Sequence, residues 1–213
     1  QVLCDGIGTR ELFIGEHFAF GKGRAGRIAD LISLGGQLGF QVHPMPPVVI
    51  DGEVVSSTRI RQMIQAGDLH KAIRFLGRPY GIEGTVIPGA QRGTELGWPT
   101  ANLRLPEGRV IPPDGVYAAK VRWNRRSLDS VVYIGTRPTF GAGERLLEVS
   151  ILDERLELYG QTIRVDLLGF VREDRLFASA EALTKQIELD VRAARAQLRE
   201  AAVETVSPLQ SQS

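Results

Sequence analysis

Thr100 and Asn102 stand two positions apart and together present the chemistry of a hard-cation site. On an extended segment, side chains at i and i+2 point the same way, so a hydroxyl and an amide oxygen face one side. Such neutral oxygens suit a Mg²⁺ ion that keeps several waters and also holds nucleotide phosphates. The run leading into them, from Gly89 to Pro99, carries Gly89, Gly93 and Gly97, with Arg92 and Thr94 between. Glycine lets a backbone approach a ligand closely and aim N–H groups at phosphate oxygens. The run lacks the glycine–lysine–serine/threonine spacing of a P-loop. From spacing alone a second reading stays open, a glycine-rich hairpin in which Thr100 and Asn102 only satisfy a turn.

Glu148 is a lone carboxylate in an apolar stretch, Leu146-Leu147-Glu148-Val149-Ser150-Ile151-Leu152. Period-two alternation puts Leu146, Glu148, Ser150 and Leu152 on one face, opposite Leu147, Val149 and Ile151. Glu148 then lies either on a solvated outer face or in a cleft that raises its pKa and fits it as a general base. The segment Phe170-Val171-Arg172-Glu173-Asp174-Arg175-Leu176-Phe177 reads as a charged loop bracketed by aromatics. It is equally a place to hold a flat heteroaromatic ring or a helix entry with Phe177 buried beneath it. Ser56-Ser57-Thr58-Arg59-Ile60-Arg61 opens a helix whose hydroxyls, free N–H groups and arginines could hold an anion, or whose serines simply cap it. Gly21-Lys22-Gly23-Arg24-Ala25-Gly26-Arg27, basic and glycine-rich before a helix, carries the same pair of readings. His17, His43 and His70 have no metal-ligand spacing.

The elements that must position these residues change in texture near residue 80. Before it, strands at Leu12–Gly15 and Phe40–His43 alternate with helices. Pro44, Pro46 and Pro47 are expected to break the second strand. The helices run over Ile28–Leu38, from Ser56/Ser57 to a stop at Gly67, and from an Asp68 cap to Leu76. After residue 80 come short β segments at Ile82–Ile87, Gly115–Val121, Ser130–Gly135, Leu146–Leu152 and Thr162–Phe170, then a helix over Ala180–Glu200. The expected domains are 1–79, an α/β fragment; 80–201, an antiparallel β-barrel with a C-terminal helix; and 202–213, a flexible tail.

The chain has 213 residues with 26 Lys+Arg against 25 Asp+Glu, a formal net charge of +1. That balance argues against a dominant nucleic-acid or anionic-membrane partner. The single Cys4 forms no internal disulfide and belongs to no zinc pattern. No apolar run reaches the roughly 18 residues of a membrane span. A cytoplasmic protein acting on small molecules, with no obligatory protein partner, is the expectation. The chain starts at Gln1 rather than Met, which is read as a missing N-terminus.

Taken in order, these segments resemble the bacterial bifunctional riboflavin kinase/FMN adenylyltransferase family, from Leu12 to about Arg195. The resemblance rests on Pro99-Thr100-Ala101-Asn102, Gly115-Val116-Tyr117, Ile134-Gly135-Thr136-Arg137-Pro138-Thr139-Phe140, Leu147-Glu148-Val149 and Leu158-Tyr159-Gly160, in the family's order. It implies a six-stranded barrel with a C-terminal helix that phosphorylates riboflavin to FMN with ATP and Mg²⁺. By the resemblance, Thr100 and Asn102 bind the metal. Gly89, Thr94, Thr100, Ile151, Asp153 and Tyr159 hold the nucleotide. Arg172, Arg175 and Phe177 contact the flavin, and Glu148 takes the proton of the attacking hydroxyl. Thr100, Asn102 and Glu148 are then expected to share one cavity inside the barrel.

Residues 1–79 resemble the end of a nucleotidyltransferase, Rossmann-like domain, with Ser56, Ser57, Thr58 and Arg61 as its second phosphate motif. The family's first motif, a glycine-rich turn with two histidines, is not in this sequence, and His17 stands where the family has Asp or Asn. Adenylyl transfer is therefore expected of the longer protein and not of these residues. The alternative to a kinase is a flavin- or nucleotide-binding barrel without catalysis.

Overall fold

The computed structural model describes residues 2–89, 97–136 and 145–206. By internal contacts the chain forms two compact units, 1–55 and 56–213.

In the first unit, β1 (Glu11–Gly15) and β2 (Gln41–Met45) lie parallel, connected through α1 (Ile28–Leu38). The helix starts where the Arg27 N–H donates to Asp30 Oδ2 at 2.7 Å and ends at Gly39, whose φ of 76° is the left-handed cap that glycine favours. Pro44 does not break β2, which continues to Met45. In a two-stranded sheet each strand has an open side, so a missing N–H removes no ladder bond there. A short hairpin follows, β3 (Val49–Ile50) and β4 (Glu53–Val54), turned by Asp51-Gly52 at φ 52° and 75°.

In the second unit, α2 (Ser57–Gln65) is capped by Ser56 Oγ, which accepts from the Arg59 N–H at 3.3 Å. Asp68 caps α3 (Leu69–Leu76) through the Lys71 N–H at 3.1 Å, and Gly77 closes that helix. α3 buries Leu69 in the same apolar core as the strands that follow. This places both helices with the barrel, upstream of the texture change at residue 80.

The barrel consists of β5 (Tyr80–Ile87), β6 (Ala101–Arg104), β7 (Gly115–Trp123), β8 (Arg126–Thr136), β9 (Arg145–Ile151) and β10 (Thr162–Glu173). All neighbours are antiparallel and the order β10-β5-β6-β9-β8-β7 closes on itself. Closure leaves no unpaired edge. Leu103, Tyr117, Val132, Ile134, Leu147 and Val149 fill the interior. Outside, α4 (Ala180–Val206) covers Ala118 and Leu152 with Val191, Ala194 and Leu198, and runs past the expected end at Glu200. Residues 207–213 of the expected tail lie outside the described residues.

Strand β10 runs three residues beyond Phe170, so Val171, Arg172 and Glu173 are strand rather than loop. Two register irregularities, one between Leu167 and Gly169 and one between Phe170 and Arg172, interrupt its pairing with β7. Leu168 and Val171, an odd number of positions apart, would face opposite sides of a regular strand. The bulges bring both against α4.

Candidate active site

Register builds the site. Reading across the barrel, Ile87 of β5 opposes Asn102 of β6, Asn102 opposes Glu148 of β9, and Glu148 opposes Tyr133 of β8. Tyr133 in turn opposes Val116 of β7, and Val116 opposes Arg172 of β10. Directly opposed residues of antiparallel strands present their side chains to the same face about 5 Å apart. One row around the wall therefore joins the cation candidate, the lone carboxylate and the first arginine of the aromatic-bracketed segment.

The row faces outward. Leu103, Leu147, Val149, Val132 and Ile134, the chain neighbours of Asn102, Glu148 and Tyr133, point into the core, and alternation sends the row's members the other way. The expectation of one shared cavity inside the barrel is thus corrected: Asn102 and Glu148 face outward, while Thr100 borders a cavity lined in part by the core residues Val86, Val149 and Leu158. Outward is nevertheless not wet: Asn102 is 3% exposed and Glu148 8%.

Asn102 is held by a close backbone approach. A Cβ on Gly89 would collide with the Asn102 amide, so that position admits only glycine without a shift. Asn102 Oδ1 is buried and has no hydrogen-bond partner among the described residues. A buried acceptor left unmatched costs free energy, and a hard cation is one group that would satisfy it. Thr100, half-buried, precedes β6 by one residue and borders a cavity of about 250 Å³. The donor set of neutral oxygens fits Mg²⁺ shared with phosphates. Among the described residues no cluster of three His, Cys, Asp or Glu offers an all-protein metal cage.

The same cavity is lined by Ile151 and Tyr159, and an adjoining one of about 240 Å³ by Asp153, Trp98, Ser150 and Arg195. Pro99, Ile151, Glu154 and Arg155 border both. Three of the nucleotide candidates are thereby brought to one place beside Thr100. Asp153, at φ 69°, is held by two hydrogen bonds from Arg195, at 2.9 and 2.6 Å, which pull its carboxyl below the ordinary carboxylate range. Thr94 lies outside the described residues.

At the other end of the row, two guanidiniums stand over the Phe177 ring, that of Arg172 5.5 Å and that of Arg175 4.8 Å from its centroid. The reading of Phe177 as buried beneath a helix entry is not met, since the ring is half-buried and has charge over it. Arg172 is anchored by a bidentate pair to the buried Asp190, with Nε–Oδ1 and Nη2–Oδ2 both 2.8 Å, and Gln186 Nε2 donates to the same carboxylate at 2.7 Å. Arg175 hydrogen-bonds to Gln186. Ser57, Thr58 and Arg61 are exposed on the first turns of α2, with Ser56 spent on the cap.

Tyr133 and Asp174 were not singled out from the sequence. Burial chiefly, then the charge of Asp174 and its hydrogen bond, raise the Tyr133 pKa, with Glu148 adding to the effect. A signal existed in the Tyr133-Ile134-Gly135 spacing: the phenol lies back over Gly135, where a Cβ would collide with it.

The riboflavin kinase (Flavokinase) family model matches residues 76–198, and the FAD synthetase family model matches residues 1–59. A bifunctional riboflavin kinase/FMN adenylyltransferase of Pseudomonas fluorescens is 42% identical over 197 residues, which cover 92% of this chain and 63% of that one. Its Escherichia coli K12 counterpart is 38% identical over 196 residues, covering 92% and 62%. A solved structure described as a macrolide-efflux protein from Streptococcus pneumoniae superposes with a TM-score of 0.74 at 34% identity, covering 85% of this chain and 58% of that one. Among the described residues here no helix is long and apolar enough to cross a membrane. The chain thus spans a little under two thirds of the length of these curated relatives. Because the kinase match takes in more than half of the sequence, including every strand of the closed barrel, the chain belongs to the riboflavin kinase family.

Proposed function

We propose that this chain transfers the γ-phosphoryl group of ATP to the terminal ribityl hydroxyl of riboflavin, forming FMN and ADP. One observation carries the reading: Glu148 sits in the wall row directly beside Asn102, whose buried amide oxygen has no partner among the described residues, with the Arg172–Phe177 cluster further along the same row.

Phosphoryl transfer asks for positioning and charge neutralisation more than for covalent chemistry by the protein. Thr100 and Asn102 would hold Mg²⁺, which neutralises the charge on the transferring phosphates. Ile151 and Tyr159 line the cavity beside Thr100, a place for the nucleotide, with Asp153 and Arg195 next to it. Gly89 and Thr94 are assigned to the loop that approaches the phosphates. Arg175 and Phe177, steadied by the Arg172–Asp190 pair, offer a flat charged-aromatic face to the isoalloxazine ring. Glu148, between the two ends, accepts the proton that the ribityl hydroxyl loses as its oxygen attacks phosphorus. A nearly buried carboxylate does this well because little water competes for its lone pairs.

Incubating the protein with riboflavin, ATP and Mg²⁺ and following FMN by chromatography tests the reading. FMN should accumulate with ADP in equal amounts. Tight flavin binding with no FMN would instead mark a binding barrel. FAD formation from FMN and ATP is the arm expected to stay blank. Ser56, Ser57, Thr58 and Arg61 are assigned to the phosphate motif of the adenylyltransferase half, alongside the FAD synthetase match at 1–59.

A further inference from the structure

Asp190 is a buried charge that the proposed chemistry does not itself use. It lies on α4, 3% exposed, and takes the Arg172 guanidinium as a fork, Nε to Oδ1 and Nη2 to Oδ2, both at 2.8 Å. One turn earlier on the same helix stands Gln186, and residues four apart on a helix are neighbours. Gln186 Nε2 donates to Asp190 Oδ1 at 2.7 Å, and Gln186 Oε1 accepts from Arg175 Nη2. Only one orientation of that amide is favourable. Turned over, its oxygen would face a carboxylate and its NH2 a guanidinium, acceptor against acceptor and donor against donor. The buried anion thereby decides which end of Gln186 is presented to the exposed Arg175.

We infer that Gln186 is a positioning residue, an oriented amide through which the C-terminal helix sets Arg175 over the Phe177 ring. Both arginines above that ring then trace to one carboxylate, Arg172 directly and Arg175 through the amide. The consequence for substrate rests on the proposed kinase reading, in which Arg175 and Phe177 meet the isoalloxazine ring. A guanidinium already held in place adds no ordering cost to flavin binding. Neither Gln186 nor Arg175 is among the residues lining the two cavities beside Thr100, so the relay should leave nucleotide binding alone.

The test is Gln186→Leu, which keeps a good helix former of similar size and removes both ends of the amide. Its riboflavin KM should rise about fivefold, the scale of one hydrogen bond, with the ATP KM and kcat unchanged. Arg175→Met should raise the riboflavin KM at least as much. Adding Gln186→Leu to Arg175→Met should change nothing further, because the amide acts through that guanidinium.

A readout independent of turnover is trypsin cleavage after Arg175, whose guanidinium the protease must itself take up. Freed from Gln186, that site should be cut about fivefold faster in Gln186→Leu, followed by mass spectrometry of the fragments. Cleavage at the wild-type rate, an additive double change or equal rises in both KM values would each overturn the relay. Faster cleavage with an unchanged riboflavin KM would overturn its part in flavin binding. A wild-type protein that makes no FMN would sink the kinase reading instead, while the cleavage rate would still decide whether Gln186 holds Arg175.

Discussion

In residues 1–55, Phe13 is 61% exposed and stacks on His43, at 4.7 Å, while Ile32, Leu38, Met45 and Val48 also stand open to solvent. In the barrel, Leu147, Ile134 and Tyr117 are buried completely. Both regions are built from apolar strands with helices packed on them, so composition does not separate them. Topology does. A parallel pair of strands has two open edges and two faces to cover, and one helix covers part of one face. Six strands that close on themselves have no edges and one interior, which their own side chains fill. The closed barrel supplies the tight placement that proton and phosphoryl transfer need.

Substitutions can break that contrast. The largest expected effect is on chemistry: Glu148→Gln should lower the rate of FMN formation about 10²–10⁴-fold while riboflavin and ATP binding, measured by titration, persist. Phe13→Ala should leave the same rate unchanged. Next comes stability. Leu147→Ala should cost about 2–5 kcal/mol in denaturant unfolding, because a cavity opens where packing is complete. Phe13→Ala should cost less than about 0.5 kcal/mol, because most of that ring is already in water.

A smaller effect locates the border. Ser56→Ala removes the cap of α2 and should cost about 1 kcal/mol. Since α2 and α3 stand with the barrel, that loss should appear in the barrel's unfolding transition, followed by near-ultraviolet signals from its tryptophans; a shift in any separate transition of residues 1–55 would move the border. The smallest effect is electrostatic. The Asp153 pKa is lowered in the folded state by Arg195, so its contribution is present above the ordinary carboxylate range and is lost as pH falls through the lowered value. Asp153→Asn should therefore flatten the acid limb of a stability–pH profile slightly and leave neutral pH almost unchanged.

Local punctuation was legible in the chain. Asp68 and Gly77 bound α3 as caps, Ser56 begins α2, and α1 occupies Ile28–Leu38 as its apolar spacing predicts. The Asp51-Gly52 hairpin carried an equally clear signal, an Asp-Gly pair between apolar runs, and went unread because each strand has only two residues. Pro44 misled, since the rule against proline assumes a strand paired on both sides. Tyr133 was hidden by its neighbours: in an apolar strand a tyrosine looks like packing until the residues across from it are known.

Alternation along each strand put Glu148 on the opposite side from Leu147 and Val149, and Asn102 on the opposite side from Leu103; those relations are local and need only the period of two. Which side is the dry interior, and which residues of other strands stand opposite, depends on pairings between segments tens of residues apart. Barrel closure settled both. It gave the apolar alternates the inside, turned Asn102, Glu148 and Tyr133 outward into one continuous row, and surrounded an outward carboxylate closely enough to exclude most of its water.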